Sequence, residues 1–181
     1  MRTVFCAIFL GLAASLPAAA DQTDPRLDAL FEELRVGDAI RAEENVGRIL
    51  EIWADSQSDT VDVLYARAEE SLDHDADDLA QALLDHVVGL APNFAQGYAL
   101  RGIIRLNQDD RAGAIEDFSK VLELEPRQFA VRTTLAQILL AGGDKLEAYE
   151  MFQKVLEWNP HDETARRQSR ALRRQLDGQE I

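Results

Sequence analysis

The residues of this sequence that could carry out chemistry form no nucleophile–base constellation. The histidines, His74, His86 and His161, are scattered along the chain. No P-loop, G-x-S-x-G, G-x-G-x-x-G or H-E-x-x-H motif accompanies them. We interpret each one as a surface or partly packed histidine. The sequence therefore predicts no enzyme, no bound metal and no cofactor.

One acidic segment has the spacing of a cation-binding loop. Asp73, Asp75 and Asp77 alternate, as the first ligands of a calcium loop do. Such a loop also requires a glycine where Asp78 stands and a bidentate glutamate where Leu84 stands. The segment is therefore interpreted as a solvated acidic turn.

Composition and charge exclude other classes of function. The chain has 181 residues, of which 46% are hydrophobic, which argues against disorder. It has 33 acidic and 19 basic residues, a net charge of −14. A chain with this negative charge is not expected to bind nucleic acid or anionic lipid, since both attract basic surfaces.

The charge is unevenly distributed along the chain. Residues 62–85 carry eight acidic residues and one arginine, whereas residues 164–174 carry five arginines and no acid. These stretches are interpreted as solvated surfaces. One alternative is an electrostatic field along the chain that orients a partner or drives head-to-tail contact. Another is that the arginine cluster binds an acidic motif.

The first twenty residues have the pattern of a secretory signal peptide. A positive start at Arg2 precedes the apolar run Val4–Leu16, and Pro17 with residues 18–20, all alanine, follows. We expect cleavage after Ala20 and location in the bacterial periplasm. An uncleaved anchor is the alternative, although the run is short against the ~20 residues of a membrane span.

The only cysteine, Cys6, lies inside this apolar run. The cleaved protein is therefore expected to have no disulfide and no cysteine-based site. It is also expected to make no stable insertion into a membrane.

The rest of the chain repeats with a period of 34 residues. Pro92, Pro126 and Pro160 mark the period. Small and apolar positions recur in register with them: Ala68, Gly102 and Ala136; Ala80, Ala114 and Ala148; Leu84, Phe118 and Phe152; Val87, Val121 and Val155. Small residues allow helices to approach, apolar residues three and four apart form a stripe, and proline ends a helix.

This pattern resembles the tetratricopeptide repeat family. The segment AGAIEDFSKVLELEP, residues 112–126, is similar to the second helix of that repeat, and Gly143-Asp144 is similar to its turn. The resemblance implies an all-α fold, a right-handed α-solenoid of helix–turn–helix repeats with about nine helices. Ser71, Arg105 and Arg132 stand where large apolar residues are usual, and we expect them to weaken local packing.

The period divides the chain into segments. They are a signal peptide (1–20), a degenerate first repeat or N-terminal cap (21–60), three repeats (61–94, 95–128 and 129–162), and a C-terminal capping helix with a frayed tail (163–181). The period places the segment 21–60 one unit upstream of the first full repeat.

In the tetratricopeptide family the first helices of the repeats line a concave groove. That position corresponds here to Tyr65, Glu69, Leu72, Gln96, Ala99, Leu100, Ile103, Leu106, Ala130, Thr133, Gln137, Leu140, Arg167 and Arg174. Leu100, Leu106 and Leu140 have inter-repeat core as an equal alternative. Tyr65 and Glu69 stand where the family's clamp for a terminal carboxylate has Lys and Asn, so that activity is not expected.

The resemblance implies a non-enzymatic scaffold, similar to small exported repeat proteins of Gram-negative bacteria. We expect it to bind a protein or peptide in the groove, with no nucleic acid as partner. A structural subunit of a homo-oligomer or envelope complex is the alternative, and self-association is compatible with both. A metal-binding protein or an enzyme is the remaining, weakest hypothesis.

Overall fold

The structure is a computed structural model that describes residues 24–178. The expected signal peptide, the cleavage site after Ala20, Cys6 and the last residues of the expected tail lie outside the described residues.

Nine α-helices and no strand make up residues 24–178, which confirms the all-α prediction. The helices are α1 (Pro25–Val36), α2 (Ala39–Ala54), α3 (Asp59–Asp73), α4 (Asp77–Leu90), α5 (Ala95–Asn107), α6 (Arg111–Leu124), α7 (Phe129–Gly142), α8 (Lys145–Trp158) and α9 (Glu163–Asp177).

Local signals in the sequence explain where several helices begin. The carboxylates of Asp38, Asp110 and Asp162 accept backbone N–H groups of the first turns of α2, α6 and α9, at 3.0, 3.0 and 2.7 Å. These N–H groups have no partner inside the helix, so each aspartate caps an otherwise unpaired donor.

The turn inside each repeat contains one residue with a left-handed backbone. Asp75, Asp109 and Gly143 have φ values of 55°, 62° and 94° and follow one another at the 34-residue period. Aspartate tolerates this conformation better than most residues, and glycine adopts it freely. Asp75 therefore serves as a turn residue in the segment whose spacing resembles a calcium loop.

Each repeat is a pair of packed helices, and the pairs stack in chain order. α3 packs on α4, α5 on α6 and α7 on α8, while α4 contacts α5, α6 contacts α7 and α9 contacts α8. Gly102 shows why a small residue is needed inside a pair, because a Cβ atom there would lie 2.5 Å from the Phe118 ring.

A first helix also buries a face against the preceding repeat. Val131, Leu135 and Ile138 of α7 join the apolar core formed by α5 and α6. Ile104 of α5 likewise joins the core of α3 and α4. A repeat therefore completes its core only when another repeat stacks beside it.

The N-terminal pair α1–α2 does not continue this stack. Instead of covering α3 as α4 covers α5, it packs through α1 on α8 and through α2 on α5. Its apolar residues share one core with α7, α8 and α9. The pair is thus placed differently from the upstream unit that the period predicts, because its apolar face finds partners at the other end of the array.

Aromatic side chains form the centre of this contact. The Phe31 ring lies 6.4 Å from Phe129 and 5.8 Å from Trp158, while Trp53 lies 5.7 Å from Phe129, all between ring centroids. Rings at these separations contribute beyond the apolar area they bury. α1 is therefore held against the start of α7 and the end of α8.

Polar groups complete the same junction in the loop between α6 and α7. The Trp53 indole N–H donates to buried Glu125 at 3.3 Å, and Arg127 pairs with both Glu125 and Asp28 at 2.8 and 2.7 Å. Hydrogen bonding to Glu125 raises the pKa of Arg127 above its usual value, and this guanidinium lies 4.8 Å from the centre of the Phe31 ring.

Ala114→Asp tests the register of the repeats. Ala114 is fully buried between helices, so the substitution places an unpaired carboxylate in an apolar core. We expect the free energy of unfolding to fall by at least about 3 kcal/mol, measured by urea denaturation. Ala112→Asp is the matched control, because Ala112 is exposed in the same first turn. Equal stability of the two variants would show that this register is wrong.

Candidate functional site

The residues predicted to line the groove lie on the first helices of successive repeats and on α9. The period arranges them in rows of equivalent positions, with Leu100 outside these rows. The rows are Gln96 and Ala130; Tyr65, Ala99, Thr133 and Arg167; Glu69, Ile103 and Gln137; and Leu72, Leu106, Leu140 and Arg174.

One row is exposed along its whole length. Glu69, Ile103 and Gln137 are all exposed, and the apolar Ile103 keeps 44% of its surface accessible. We call these three residues the exposed row. Ala130, Arg167 and Arg174, from the neighbouring rows, are exposed as well.

The apolar residues beside the exposed row are largely used for packing. Ala99 is buried in the core of the second repeat. Leu72 and Leu100 pack against the first-repeat core, Leu106 against the second and Leu140 against the C-terminal one. The structure therefore gives Leu100, Leu106 and Leu140 a role in the core. Gln96 and Thr133 are half-buried, and the hydroxyl of Thr133 has no hydrogen-bond partner within residues 24–178.

Tyr65 is also held in place rather than presented to solvent. Its ring lies 5.4 Å from the Phe94 ring in an edge-to-face arrangement, and its hydroxyl is hydrogen-bonded to Glu69. Burial raises the pKa of Tyr65, and the negative charge of Glu69 adds to the effect. Partial burial likewise raises the pKa of Glu69, with the Tyr65 hydrogen bond acting in the opposite direction.

A buried ion-pair network holds the helix that carries Ile103. Arg101 of α5 forms a two-pronged contact with Asp117 of α6, at 3.0 and 2.6 Å, and Arg105 pairs with the same carboxylate at 2.9 Å. Asp117 is only 3% exposed. Arg101 also reaches exposed Asp85 of α4 at 2.8 Å, so the network ties α5 to both of its neighbours.

The hydrogen bonds to Asp117 raise the pKa of Arg101 above its usual value. Arg101 and Asp117 were not among the residues predicted from the sequence. Their equivalents in the next repeat are Leu135 and Met151, so three charged residues replace apolar ones in a single repeat when Arg105 is included. That coincidence of opposite charges is the signal that could have identified the network.

The other two departures from the repeat pattern also find partners. The Ser71 hydroxyl donates to the backbone carbonyl of Arg67 at 2.7 Å. Arg132 donates to the carbonyl of Pro126 at 2.6 Å and contacts the Met151 sulfur at 3.6 Å. Burial lowers the pKa of Arg132.

The arginines of α9 form a separate cationic surface. Arg167 and Arg174 line an open cavity of about 340 Å³ together with Glu163, Arg166 and Arg170. In the described part of the chain, Arg173 alone among the five arginines of this helix has an ion-pair partner, Asp177 at 3.8 Å. This surface is suited to anionic groups.

Within residues 24–178 there is no group of three or more His, Cys, Asp and Glu side chains that could hold a metal ion. His74 and His86 are exposed, and His161 is half-buried in the loop before α9. Over the same residues, no helix has the length and apolar character that crossing a membrane requires.

Comparison with known proteins agrees with the repeat geometry. The family profile described as Tetratricopeptide repeat matches residues 105–175. A TPR repeat-containing protein of Rhizobium etli is 28% identical over 161 residues, which is 88% of this chain and 79% of that protein. Residues 105–175 of this chain thus match the tetratricopeptide repeat, and its fold is that of tetratricopeptide repeat domains.

Solved tetratricopeptide repeat (TPR) domains share its fold. The first TPR domain of Spaghetti (RPAP3), solved bound to the HSP90 peptide SRMEEVD, has a TM-score of 0.60 at 19% identity. That match covers 68% of this chain and 96% of the other. The Sgt2 TPR domain from Aspergillus fumigatus has a TM-score of 0.58 at 16% identity, covering 66% and 81% of the two chains. These likenesses concern the tetratricopeptide fold alone.

Replacing Asp117 tests the network that supports the central repeat. In Asp117→Ala, Arg101 and Arg105 lose the carboxylate between them, and we expect a loss of about 3–5 kcal/mol in unfolding free energy. The matched control is Asp85→Ala, which removes an exposed partner of Arg101 and should cost about 0–1 kcal/mol. Urea denaturation measures both. Similar losses would mean that the buried carboxylate does not hold α5.

Proposed function

We propose that this protein is a non-enzymatic adaptor that binds a segment of another protein along its exposed row. The observation that carries the proposal is the alignment of Glu69, Ile103 and Gln137, one residue per repeat, on a stack of helices. An apolar side chain between two hydrogen-bonding ones suits an extended peptide or a helix that anchors at Ile103.

The charges at the two ends of the exposed row support one orientation of the bound segment. Glu69 lies at the α3 end, and Arg167 and Arg174 lie at the α9 end. A segment with a basic end near Glu69 and an acidic end near the arginines fits this arrangement. The pairing of Tyr65 with Glu69 supports a ligand other than a terminal carboxylate, since a carboxylate would face a negative charge there.

The peptide-bound structure of the RPAP3 domain supports the choice of an adaptor, because that domain binds its HSP90 peptide on the same fold. The match of residues 105–175 to the tetratricopeptide repeat supports the absence of enzymatic activity, since such repeats generally form non-enzymatic scaffolds. The tetratricopeptide relative in Rhizobium etli supports a bacterial origin.

We also propose that the protein is exported to the periplasm. The support is the sequence pattern alone: a charged start, a short apolar run and three alanines before Asp21. The adaptor would then act on proteins of the cell envelope.

Ile103→Asp tests the exposed row. The substitution places a charge at the proposed anchor without touching the core, and we expect at least tenfold weaker capture of partner proteins from an envelope extract. Ile115→Asp on α6 is the matched control, since Ile115 is similarly exposed at 38% but lies on a second helix. If the wild type, Ile103→Asp and Ile115→Asp capture the same partners equally, the exposed row is not the binding surface.

Expression of the full chain in a Gram-negative host tests export. We expect the periplasmic protein to begin at Asp21, as measured by intact mass, because signal peptidase requires small residues before its cleavage site. Replacing Ala18 and Ala20 with arginine should block this cleavage. A full-length cytoplasmic product from the wild-type gene would contradict export.

A further inference from the structure

The two ends of the repeat array expose faces that its interior buries. On α5 and α7, the first helices of the later repeats, residues at equivalent positions of the 34-residue period face the preceding repeat. Gly97 and Ile104 on α5, and Val131 and Ile138 on α7, are all buried in this way. The equivalent residues on α9, Ala165 and Leu172, are buried against α8.

On α3 the same positions are uncovered. Val63 is 59% exposed, although its equivalents Gly97 and Val131 are buried. Glu70 is exposed where the later repeats have buried isoleucine. The face is open because α1 and α2 pack on α8 and α5 and leave α3 without an upstream neighbour.

This upstream face is both apolar and acidic. A cavity of about 350 Å³ lies on it, lined by Glu70, Leu79 and Leu83 and also by Arg67 and His74. Leu79 is 55% exposed. Exposed acidic residues surround this apolar patch: Glu70, Asp73, Asp75 and Asp78.

At the other end, α9 carries arginine where a repeat needs a small residue. Arg170 is equivalent to Gly102 and Ala136, which lie against the second helix of their own repeats. A Cβ atom at Gly102 already meets Phe118 at 2.5 Å. An arginine at this position therefore excludes the close apolar helix that follows in the earlier repeats.

The downstream face nevertheless contains a cavity. Arg166, Arg170 and Arg173 line about 350 Å³ of space beside Leu156, Tyr149 and Ser169. Ser169 is only 5% exposed, and its hydroxyl has no hydrogen-bond partner within residues 24–178. Buried hydroxyls usually have a hydrogen-bond partner. The unpaired Ser169 hydroxyl, beside three guanidinium groups, therefore indicates a surface that can bind a polar, anionic group.

We propose that the occupant is a second copy of this chain, whose upstream face docks on the downstream face of the first. Glu70 and Asp73 would meet Arg166 and Arg170, while Val63 and Leu79 would cover Leu156 and Tyr149. The two faces are complementary in charge, and both offer apolar area that water otherwise contacts.

The geometry makes this association head-to-tail. Each copy uses different faces in its two contacts, so a bound pair still has one free face of each kind. Such a heterologous interface continues into rings or filaments rather than stopping at a dimer. The exposed row lies along the side of the array, so binding there does not depend on this association.

Sedimentation of the purified protein tests the proposal. At about 0.1 M salt we expect a mass that rises with concentration beyond that of a dimer. At about 1 M salt, where the Debye length falls from about 10 Å to about 3 Å, we expect weaker association. A monomer at every concentration, or a mass that saturates at a dimer, would overturn the proposal.

Charge reversal of the two faces gives the sharper test. Arg166→Glu with Arg170→Glu makes both ends acidic, and Glu70→Lys with Asp73→Lys makes both ends basic. Each double variant alone should self-associate at least tenfold more weakly than the wild type. An equimolar mixture of the two should assemble again, because each reversed face finds its complement.

The controls separate this interface from general charge effects. Arg41→Glu with Arg48→Glu changes the net charge as much as the α9 variant does, but on exposed positions of α2, and should assemble like the wild type. Circular dichroism should show unchanged helicity in every variant, since all the substituted residues are exposed. A mixture that stays monomeric, or a control that also dissociates, would overturn the head-to-tail contact.

Discussion

The structure depends on one constraint, which is that the first helices α5 and α7 each have an apolar face that the preceding repeat covers. Ile104 and Ile138 are buried in this way, each in the core of the preceding repeat. The stability of the fold therefore depends on the stacking of neighbouring repeats as well as on the packing inside each pair. An array built on this principle must treat its two ends differently from its interior, and this chain does so with Glu70 at one end and Arg170 at the other.

Much of this architecture could be predicted from the sequence, since prolines, small residues and apolar stripes recur at one period and each has a local physical meaning. The placement of α1 and α2 could not, because it depends on contacts such as Phe31 with Trp158 that join distant segments and follow no period. The candidate site was predictable only in outline. Helix position indicates which side Tyr65 and Ala99 share with Ile103, but not that the first two are used in packing.

The central repeat shows how charge can replace apolar packing without loss of order. Arg101, Arg105 and Asp117 occupy positions that are apolar in the next repeat, and both guanidinium groups contact the Asp117 carboxylate. A buried network of this kind is costly if one member is lost, so it restricts how α5 can sit between α4 and α6. The exposed Ile103 is thus presented from a helix whose position is closely defined.

The open face of α3 requires that α1 pack beside α8, and a distance measurement tests this placement most directly. Because Cys6 is the only cysteine of the sequence, spin labels can be placed at single introduced cysteines in a chain that begins at Asp21. Exposed positions 29 on α1, 157 on α8 and 70 on α3 are suitable. We predict a shorter distance from 29 to 157 than from 29 to 70. The reverse order would place α1 and α2 upstream as a stacked cap and would contradict the account.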